Sequence, residues 1–194
     1  MADLTLTRHA SVENIVLHAP DRLVSARPQP PMGRFVFRGA TEAATCCEKT
    51  FGVNLPLEAN RASVAAGRAA LWLGPDEWLL LFPEAEGNAL AQRLSAALLG
   101  IPHSLVDVGQ RQTAIELRGP CAAALLNACV LLDLSAAAFP VNAATRTILA
   151  KAEIVLWRRA AETFQIEVWR SFAPYIVGLL LEASRCLPNH LKLY

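Results

Sequence analysis

One order of secondary-structure elements occurs twice along the 194 residues of this chain. Each copy begins with a short apolar strand that ends in Arg-Gly, continues with a helix, and then has two or three strands and an apolar helix. In the second copy, the side chains of residues 113–117 alternate between two faces, which is the period of a half-buried strand. Pro120 then starts a helix, since its missing N–H has no intrahelical partner in the first turn. The order is that of a split βαβ unit, so we predict an α+β fold of two duplicated ferredoxin-like units.

Short strings of residues recur at corresponding places in the two copies. Chance similarity between two generic α+β halves is the alternative explanation. A true duplication predicts that residues 34–100 and 104–185 superpose, with their strands in the same order. The matching strings, first copy before second, are Arg38-Gly39 with Arg118-Gly119, Leu55-Pro56 with Phe139-Pro140, Leu71-Trp72 with Leu156-Trp157, and residues 78–82 with residues 164–168.

The sequence divides into three regions that we expect to form one compact unit. Residues 1–33 comprise a predicted strand at 14–18 and a proline-rich connector at 20–33. The connector should be extended, because proline cannot donate to a sheet ladder and biases the residue before it away from helix. It lies either along its own domain or along another subunit. Residues 34–100 form the first α+β half. Residues 101–194 form the second half, which ends with the C-terminal helix, and residues 104–108 lead into this second copy.

Apolar periodicity places the individual elements. A helix over residues 40–51 should bury one stripe, and glycine in Gly67-Arg68 should form the turn of a hairpin between residues 63–66 and 69–73. Residues 164–168 should form a strand with three apolar side chains on one face and Gln165 and Glu167 on the other. The helix stripes are Ala43, Ala44, Cys47 and Phe51 in the first copy, and Ile176, Leu179, Leu180 and Ala183 in the last helix.

Composition excludes several classes of function. Hydrophobic residues make up 54% and charged residues 18%, so the chain is folded and short of solubilising charge, which favours a surface covered by a partner. The net charge of +1, without a basic block, argues against nucleic-acid binding. No apolar run reaches the ~20 residues that a membrane span needs, and the N-terminus shows no signal pattern. We therefore expect a cytoplasmic protein that binds neither nucleic acid nor membrane.

The chemistry-bearing residues form no recognised catalytic or metal-binding motif. The five cysteines include the adjacent pair Cys46-Cys47 but no C-x-x-C, so neither a disulfide framework nor a zinc site is indicated. Cys121 and Cys129 read as small buried hydrophobes. The four histidines are scattered, and no glycine-rich phosphate loop occurs. Asp107 is either an acid at the rim of a pocket or an Asx-type turn cap.

Arginine beside tryptophan is the one pattern that points to a surface with a role. Both residue types are over-represented where protein partners bury surface, and Arg170 directly follows Trp169. We predict a partner interface that includes Trp169, Arg170, Arg158 and Arg111, with a contribution from the connector at residues 20–33. The alternative is a solvated strand edge, on which the arginines only cover apolar surface with their stems.

The strings after Met32 also carry a family resemblance. As a set they resemble the gamma subunit of heterotetrameric sarcosine oxidase, with one departure at Gly109, where the family tends toward serine and a local turn contact is thereby in doubt. The strings are Trp72-Leu73-Gly74-Pro75-Asp76-Glu77-Trp78, Val106-Asp107-Val108, Arg111-Gln112-Thr113-Ala114, Glu116-Leu117-Arg118-Gly119-Pro120, Leu132-Asp133-Leu134, Ala138-Phe139-Pro140, Val155-Leu156-Trp157-Arg158 and Arg170-Ser171-Phe172-Ala173.

This resemblance implies an accessory subunit without an active site of its own. The parent complex would demethylate sarcosine oxidatively to glycine and pass the one-carbon unit to tetrahydrofolate. The alpha, beta and delta subunits would be its partners, with alpha in direct contact. FAD, FMN, NAD, tetrahydrofolate and zinc would belong to those subunits, and this chain would hold no cofactor. The resemblance also implies a fold like the folate-binding domain of the glycine-cleavage T-protein.

Two other functions compete with this one at the level of the sequence. A stand-alone folate-binding module would share the fold and could use Trp and Arg side chains to stack on and pair with the ligand. A cysteine-dependent enzyme would use Cys46 or Cys47 as its nucleophile, although no histidine is placed beside them by a motif.

Overall fold

A computed structural model describes residues 23–187, which form two five-stranded antiparallel sheets and four helices. The predicted strand at residues 14–18 lies outside the described residues. The strands are β1 (Ser25–Pro28), β2 (Met32–Gly39), β3 (Ala62–Ala65), β4 (Arg68–Gly74), β5 (Glu77–Pro83), β6 (His103–Asp107), β7 (Gln112–Arg118), β8 (Ala144–Leu149), β9 (Ala152–Ala160) and β10 (Thr163–Trp169). The helices are α1 (Thr41–Phe51), α2 (Gly87–Ala97), α3 (Ala122–Asn127) and α4 (Ala173–Ser184), and Glu84–Glu86 form a 3-10 turn before α2.

The two sheets have the same strand order. The first sheet runs β3-β4-β5-β2-β6, and the second runs β8-β9-β10-β7-β1. Each strand of the first copy therefore has its counterpart at the same position in the other sheet, and α1 and α2 correspond to α3 and α4. The prediction of a duplicated α+β fold is confirmed.

In each sheet, four strands come from one copy, and one edge strand comes from the segment that precedes the other copy. β1 pairs with β7 in the second sheet, and β6 pairs with β2 in the first. Residues 104–108 thus complete the first sheet, although the sequence had suggested that they enter the second copy. In the same way the connector is partly a strand, because Ser25–Pro28 pair with residues 115–118 and Gln29 donates its N–H to the carbonyl of Ala114. Pro28 is accommodated because β1 is an edge strand, on which one N–H is not needed.

The sheets pack face to face, and the helices cover their outer faces. Three groups of buried apolar residues result: one between the first sheet and α1 and α2, one between the second sheet and α3 and α4, and one between the sheets. The stripe predicted for α1 is buried as expected. In α4 the buried face is Ala173, Ile176, Val177, Leu180 and Ser184, so Leu179 lies beside the core rather than in it.

Backbone contacts also join the sheets along β3 and β8. The N–H of Ala62 donates to the carbonyl of Asn142 at 2.8 Å, and the N–H of Ala144 donates to the carbonyl of Asn60 at 3.0 Å. Asn60 and Asn142 both have positive φ angles, 60° and 67°, which asparagine tolerates better than most residues. The two asparagines therefore turn the chain at equivalent points of the two copies.

Two turns require backbone conformations that favour glycine. The β3–β4 hairpin turns on Ala66 and Gly67, with φ angles of 49° and 76°, one residue earlier than predicted. Gly119 has a φ of 139°, and a Cβ there would lie 2.4 Å from the carbonyl oxygen of Leu23. The same carbonyl accepts a hydrogen bond from the N–H of Cys121, so this close approach anchors β1 to the start of α3.

A buried ion pair links the two sheets. Arg34 of β2 and Glu167 of β10 are 1% and 0% exposed, and Nε of Arg34 lies 2.6 Å from Oε2 of Glu167. A second guanidinium nitrogen lies 3.4 Å from Oε1, and Gln165 donates its side-chain N–H to the same oxygen at 2.6 Å. Arg34 also donates to the carbonyl of Met32. Gln165 and Glu167 were predicted to share the face opposite the apolar one, and the structure shows that this face lies against the other sheet.

We expect Glu167→Gln to lower the free energy of unfolding by about 3–5 kcal/mol, because it leaves the Arg34 guanidinium buried without a counter-charge. The double variant Arg34→Met, Glu167→Gln should lose less than the single variant, since the unpaired charge is gone. Urea unfolding of the full chain measures both. Arg38→Met is the matched control, because it removes an exposed pair with Asp76 and should cost less than about 1 kcal/mol. A single variant no less stable than this control would contradict the prediction.

Candidate partner-binding surface

The structure separates the four residues that the sequence grouped as an interface. Arg158 lies in β9, is 7% exposed and donates to backbone carbonyls of its own chain. Its Nη1 is 2.8 Å from the carbonyl oxygen of Phe139 and 3.2 Å from that of Leu134, and Ala161 accepts from Nε and Nη2. The guanidinium also lies over the ring of Phe164, 5.1 Å from its centroid. Its donors are thus used to hold the loop between α3 and β8, and we do not include it in the surface proposed below.

Arg111 and Trp169 are brought together by the pairing of β7 with β10, at the point where the chain passes from the first sheet to the second. The guanidinium carbon of Arg111 lies 4.9 Å from the centroid of the Trp169 ring, a cation–π contact. The N–H of Arg170 donates to the carbonyl of Arg111 at 2.9 Å, which ties the turn after β6 to the end of β10. Arg111 is exposed and Arg170 half-buried, while the side chain of Trp169 is 40% exposed. Three of the four predicted residues therefore share one place on the molecule.

Two further aromatic residues extend this place. The N–H of Phe172 donates to the carbonyl of Trp169, and Phe172 immediately precedes α4, in which Tyr175 lies one turn further on. Each of the two side chains is 40% exposed. Residues three apart at a helix start lie on one side of it, so both side chains project from the same side of α4. We call the surface formed by Arg111, Trp169, Phe172 and Tyr175 the aromatic surface.

Phe172 and Tyr175 were not predicted as members of this surface, although the sequence contains a signal for them. Both residues lie off the apolar stripe of α4, whose buried members begin with Ala173 and Ile176. A large aromatic residue outside the buried stripe of an amphipathic helix has to be exposed or covered by another element. The stripe alone could not decide between these two outcomes.

The described part of the connector, residues 23–33, lies along its own chain. Its strand β1 forms the outer edge of the second sheet, where Arg27 is exposed, and the following Pro30 and Pro31 are exposed as well. This settles for residues 25–29 the choice that the sequence had left open between the chain itself and another subunit.

Asp107 acts as a turn cap. Its Oδ1 accepts a hydrogen bond from the N–H of Gly109 at 2.8 Å, which is the Asx-type geometry that the sequence allowed. The backbone of Gly109 makes this contact, so the turn does not depend on a serine side chain at that position. Asp107 also lies at the rim of a cleft of about 390 Å³, which is lined by residues of β2, β5 and the start of α2. A second cleft of about 430 Å³ lies between Asn60 and the loop before β8.

Among residues 23–187, no group of three or more His, Cys, Asp and Glu side chains is placed to hold a metal ion. None of the helices in the same part of the chain is long and apolar enough to cross a membrane.

All five cysteines are free thiols. Burial, and to a lesser extent the neighbouring Cys46 and Glu48, raises the pKa of the Cys47 thiol to about 12. Burial also raises the pKa of Cys121 and of Cys129. Cys46 donates its Sγ–H to the carbonyl of Ala97. Because the thiolate is the reactive form of cysteine, Cys47 is unsuited to the role of nucleophile that the cysteine-enzyme hypothesis required of Cys46 or Cys47.

The fold defines the class of the protein: a duplicated α+β module with two packed sheets. Glycine cleavage system aminomethyltransferase T from Bartonella henselae contains a similar module, with a TM-score of 0.65 over 84% of this chain and 46% of that one, at 15% identity. The chain belongs to the sarcosine oxidase gamma subunit family, whose family model matches residues 38–186.

Two relatives show how close the similarity is. The gamma subunit of sarcosine oxidase from Arthrobacter sp. is 38% identical over 133 residues, which cover 68% of this chain and 64% of the length of that relative. A chain of heterotetrameric sarcosine oxidase from Corynebacterium sp. U-96, solved in complex with pyrrole 2-carboxylate, superposes with a TM-score of 0.80 and 30% identity over 86% of both chains.

We expect Cys186 to be the thiol that reacts rapidly with DTNB at about pH 8, because it is exposed and Cys47 stays protonated well above that pH. The absorbance of the released thionitrobenzoate follows the reaction. Cys186→Ser should abolish the rapid phase in the folded chain, and addition of denaturant should restore reaction at the other four positions. A rapid phase that persists in Cys186→Ser and disappears in Cys47→Ser would contradict this expectation.

Proposed function

We propose that this chain is the gamma subunit of a heterotetrameric sarcosine oxidase. The observation that supports the proposal is the combination of family membership with a fold that superposes on a chain of such a complex over 86% of both lengths. In this proposal the complex demethylates sarcosine oxidatively to glycine and transfers the one-carbon unit to tetrahydrofolate. The chain itself carries a binding role, and the cofactors of the complex lie on other subunits.

The partners in this proposal are the alpha, beta and delta subunits, with alpha in direct contact. The aromatic surface supports a binding role, since tryptophan, tyrosine and arginine are the residues that most often anchor protein interfaces. Five free cysteines also suit the reducing cytoplasm, which is where we place the complex.

Co-expression with the other three subunits tests the proposal. An affinity tag on this chain should recover all four subunits together, and the recovered complex should oxidise sarcosine with formation of hydrogen peroxide. Recovery of this chain alone, while the other subunits purify together without it, would contradict the proposal.

Arg170→Ala tests whether the end of β10 contributes to assembly. An interface anchor of this type is worth about 2 kcal/mol or more, so recovery of the alpha subunit should fall while the melting temperature of the isolated chain stays close to that of the wild type. Arg158→Lys is the matched control, because it removes hydrogen bonds inside the chain and should lower the melting temperature without changing recovery. A lower melting temperature with unchanged recovery for Arg170→Ala would show that its role is structural.

Calorimetry distinguishes the folate-binding alternative from a role in assembly. The isolated full chain, titrated with tetrahydrofolate, should show no saturable heat at micromolar concentration if its role is assembly. Saturable binding in that range would favour a stand-alone folate-binding module.

A further inference from the structure

The aromatic surface combines exposed apolar rings with a cation that has no carboxylate partner among residues 23–187. Within residues 23–187, no salt bridge is formed by Arg111, whose guanidinium instead lies over the ring of Trp169. Two other exposed arginines do face a carboxylate within 4.0 Å: Arg38 is 3.3 Å from Asp76, and Arg146 is 2.7 Å from Glu77. Arg111 therefore offers its donors to something other than a neighbouring acid of the part of the chain described here.

The segments that build the aromatic surface carry positive charge only. Residues 108–112 and 169–176 contain Arg111 and Arg170 and no Asp or Glu. The closest acid in sequence is Asp107, whose Oδ1 already accepts a hydrogen bond from the N–H of Gly109. A partner that covers this surface thus meets apolar rings beside a guanidinium that no acid of the described part of the chain neutralises.

Covering such a surface has a definite electrostatic requirement. Removing an arginine from water is costly unless acceptors replace the lost water, and a carboxylate does so best, because it neutralises the charge and can accept two parallel N–H···O bonds. The cation–π contact with Trp169 restricts the guanidinium before binding, which lowers the entropy lost when that pair forms. The rings of Phe172 and Tyr175 require apolar groups beside the same carboxylate.

We propose that the aromatic surface binds a segment of a partner subunit that presents a carboxylate to Arg111 and apolar side chains to Phe172 and Tyr175. This inference rests on the proposed function, because it assumes that the chain assembles with other subunits. It adds the location of the contact and the chemistry of the partner segment.

The test uses the full chain co-expressed with the other three subunits and compares variants by recovery of those subunits. Arg111→Glu should reduce recovery by about tenfold or more, because it places two negative charges together, and Arg111→Gln should reduce it less. Tyr175→Ser should also reduce recovery. The matched controls, Arg93→Glu on α2 and Leu99→Ser after it, alter an exposed arginine and an exposed leucine outside the surface and should leave recovery unchanged.

Hydrogen–deuterium exchange of the wild-type chain, free and within the complex, gives an independent readout. Peptides that cover residues 108–112 and 169–176 should exchange more slowly in the complex. Circular dichroism of each variant chain, purified by itself, should match the wild type, so that a loss of recovery is not a loss of folding.

Each other outcome overturns the inference in a recognisable way. Equal effects of Arg111→Glu and Arg111→Gln would overturn the carboxylate partner. Recovery of all four subunits by the wild type without protection of these peptides would overturn the location and leave the proposed function intact. Self-association of the isolated chain that Arg111→Glu abolishes would show that a second copy covers the surface. No recovery of other subunits by the wild type would overturn both proposals.

Discussion

The buried pair of Arg34 and Glu167 is the interaction on which the arrangement of the two sheets depends. Each residue comes from a different sheet, and each is removed from water almost completely. An ion pair in such a place adds little net stability, since desolvation offsets most of the attraction. Its geometry is nevertheless demanding, because two guanidinium nitrogens must meet two carboxylate oxygens while Gln165 binds one of them. Apolar residues alone could slide across the interface between the sheets, whereas this pair permits one register.

The duplicated architecture explains how one small chain builds two complete sheets. The strand before each copy leaves that copy and completes the other sheet, so β1 and β6 cross between the halves. Neither half then has all five strands without the other, and Gly119 allows the backbone contact that anchors β1. This exchange of strands makes the halves interdependent. Three other contacts also hold the halves together: the ion pair, the hydrogen bonds between β3 and β8, and the apolar residues between the sheets.

The packing of sheets and helices limits where a partner-binding surface can lie. The outer faces of both sheets are covered by helices, and the inner faces cover each other. Among residues 23–187, the exposed aromatic side chains therefore lie at a junction rather than on a sheet face. The junction is where the turn after β6 meets the end of β10, and the hydrogen bond between Arg170 and Arg111 holds it. A partner surface at that point is supported by elements of both sheets. The fold thus positions Arg111 and Trp169, which are distant in sequence, within cation–π contact.

The sequence by itself determined the order of the elements, the stripe buried by α1, the two faces of β10 and the family of the protein, because periodicity and local motifs are properties of neighbouring residues. Only the tertiary structure decided which sheet received β1 and β6, since the backbone hydrogen bonds of an edge strand carry no information about its partner. Alternation in β10 showed that Gln165 and Glu167 share a face. Packing of the two sheets buries that face and places Arg34 of the other sheet against Glu167. Arg158 and Arg111 were grouped in one predicted interface. Their environments separate them, because buried carbonyls surround the first and a half-exposed ring lies beneath the second.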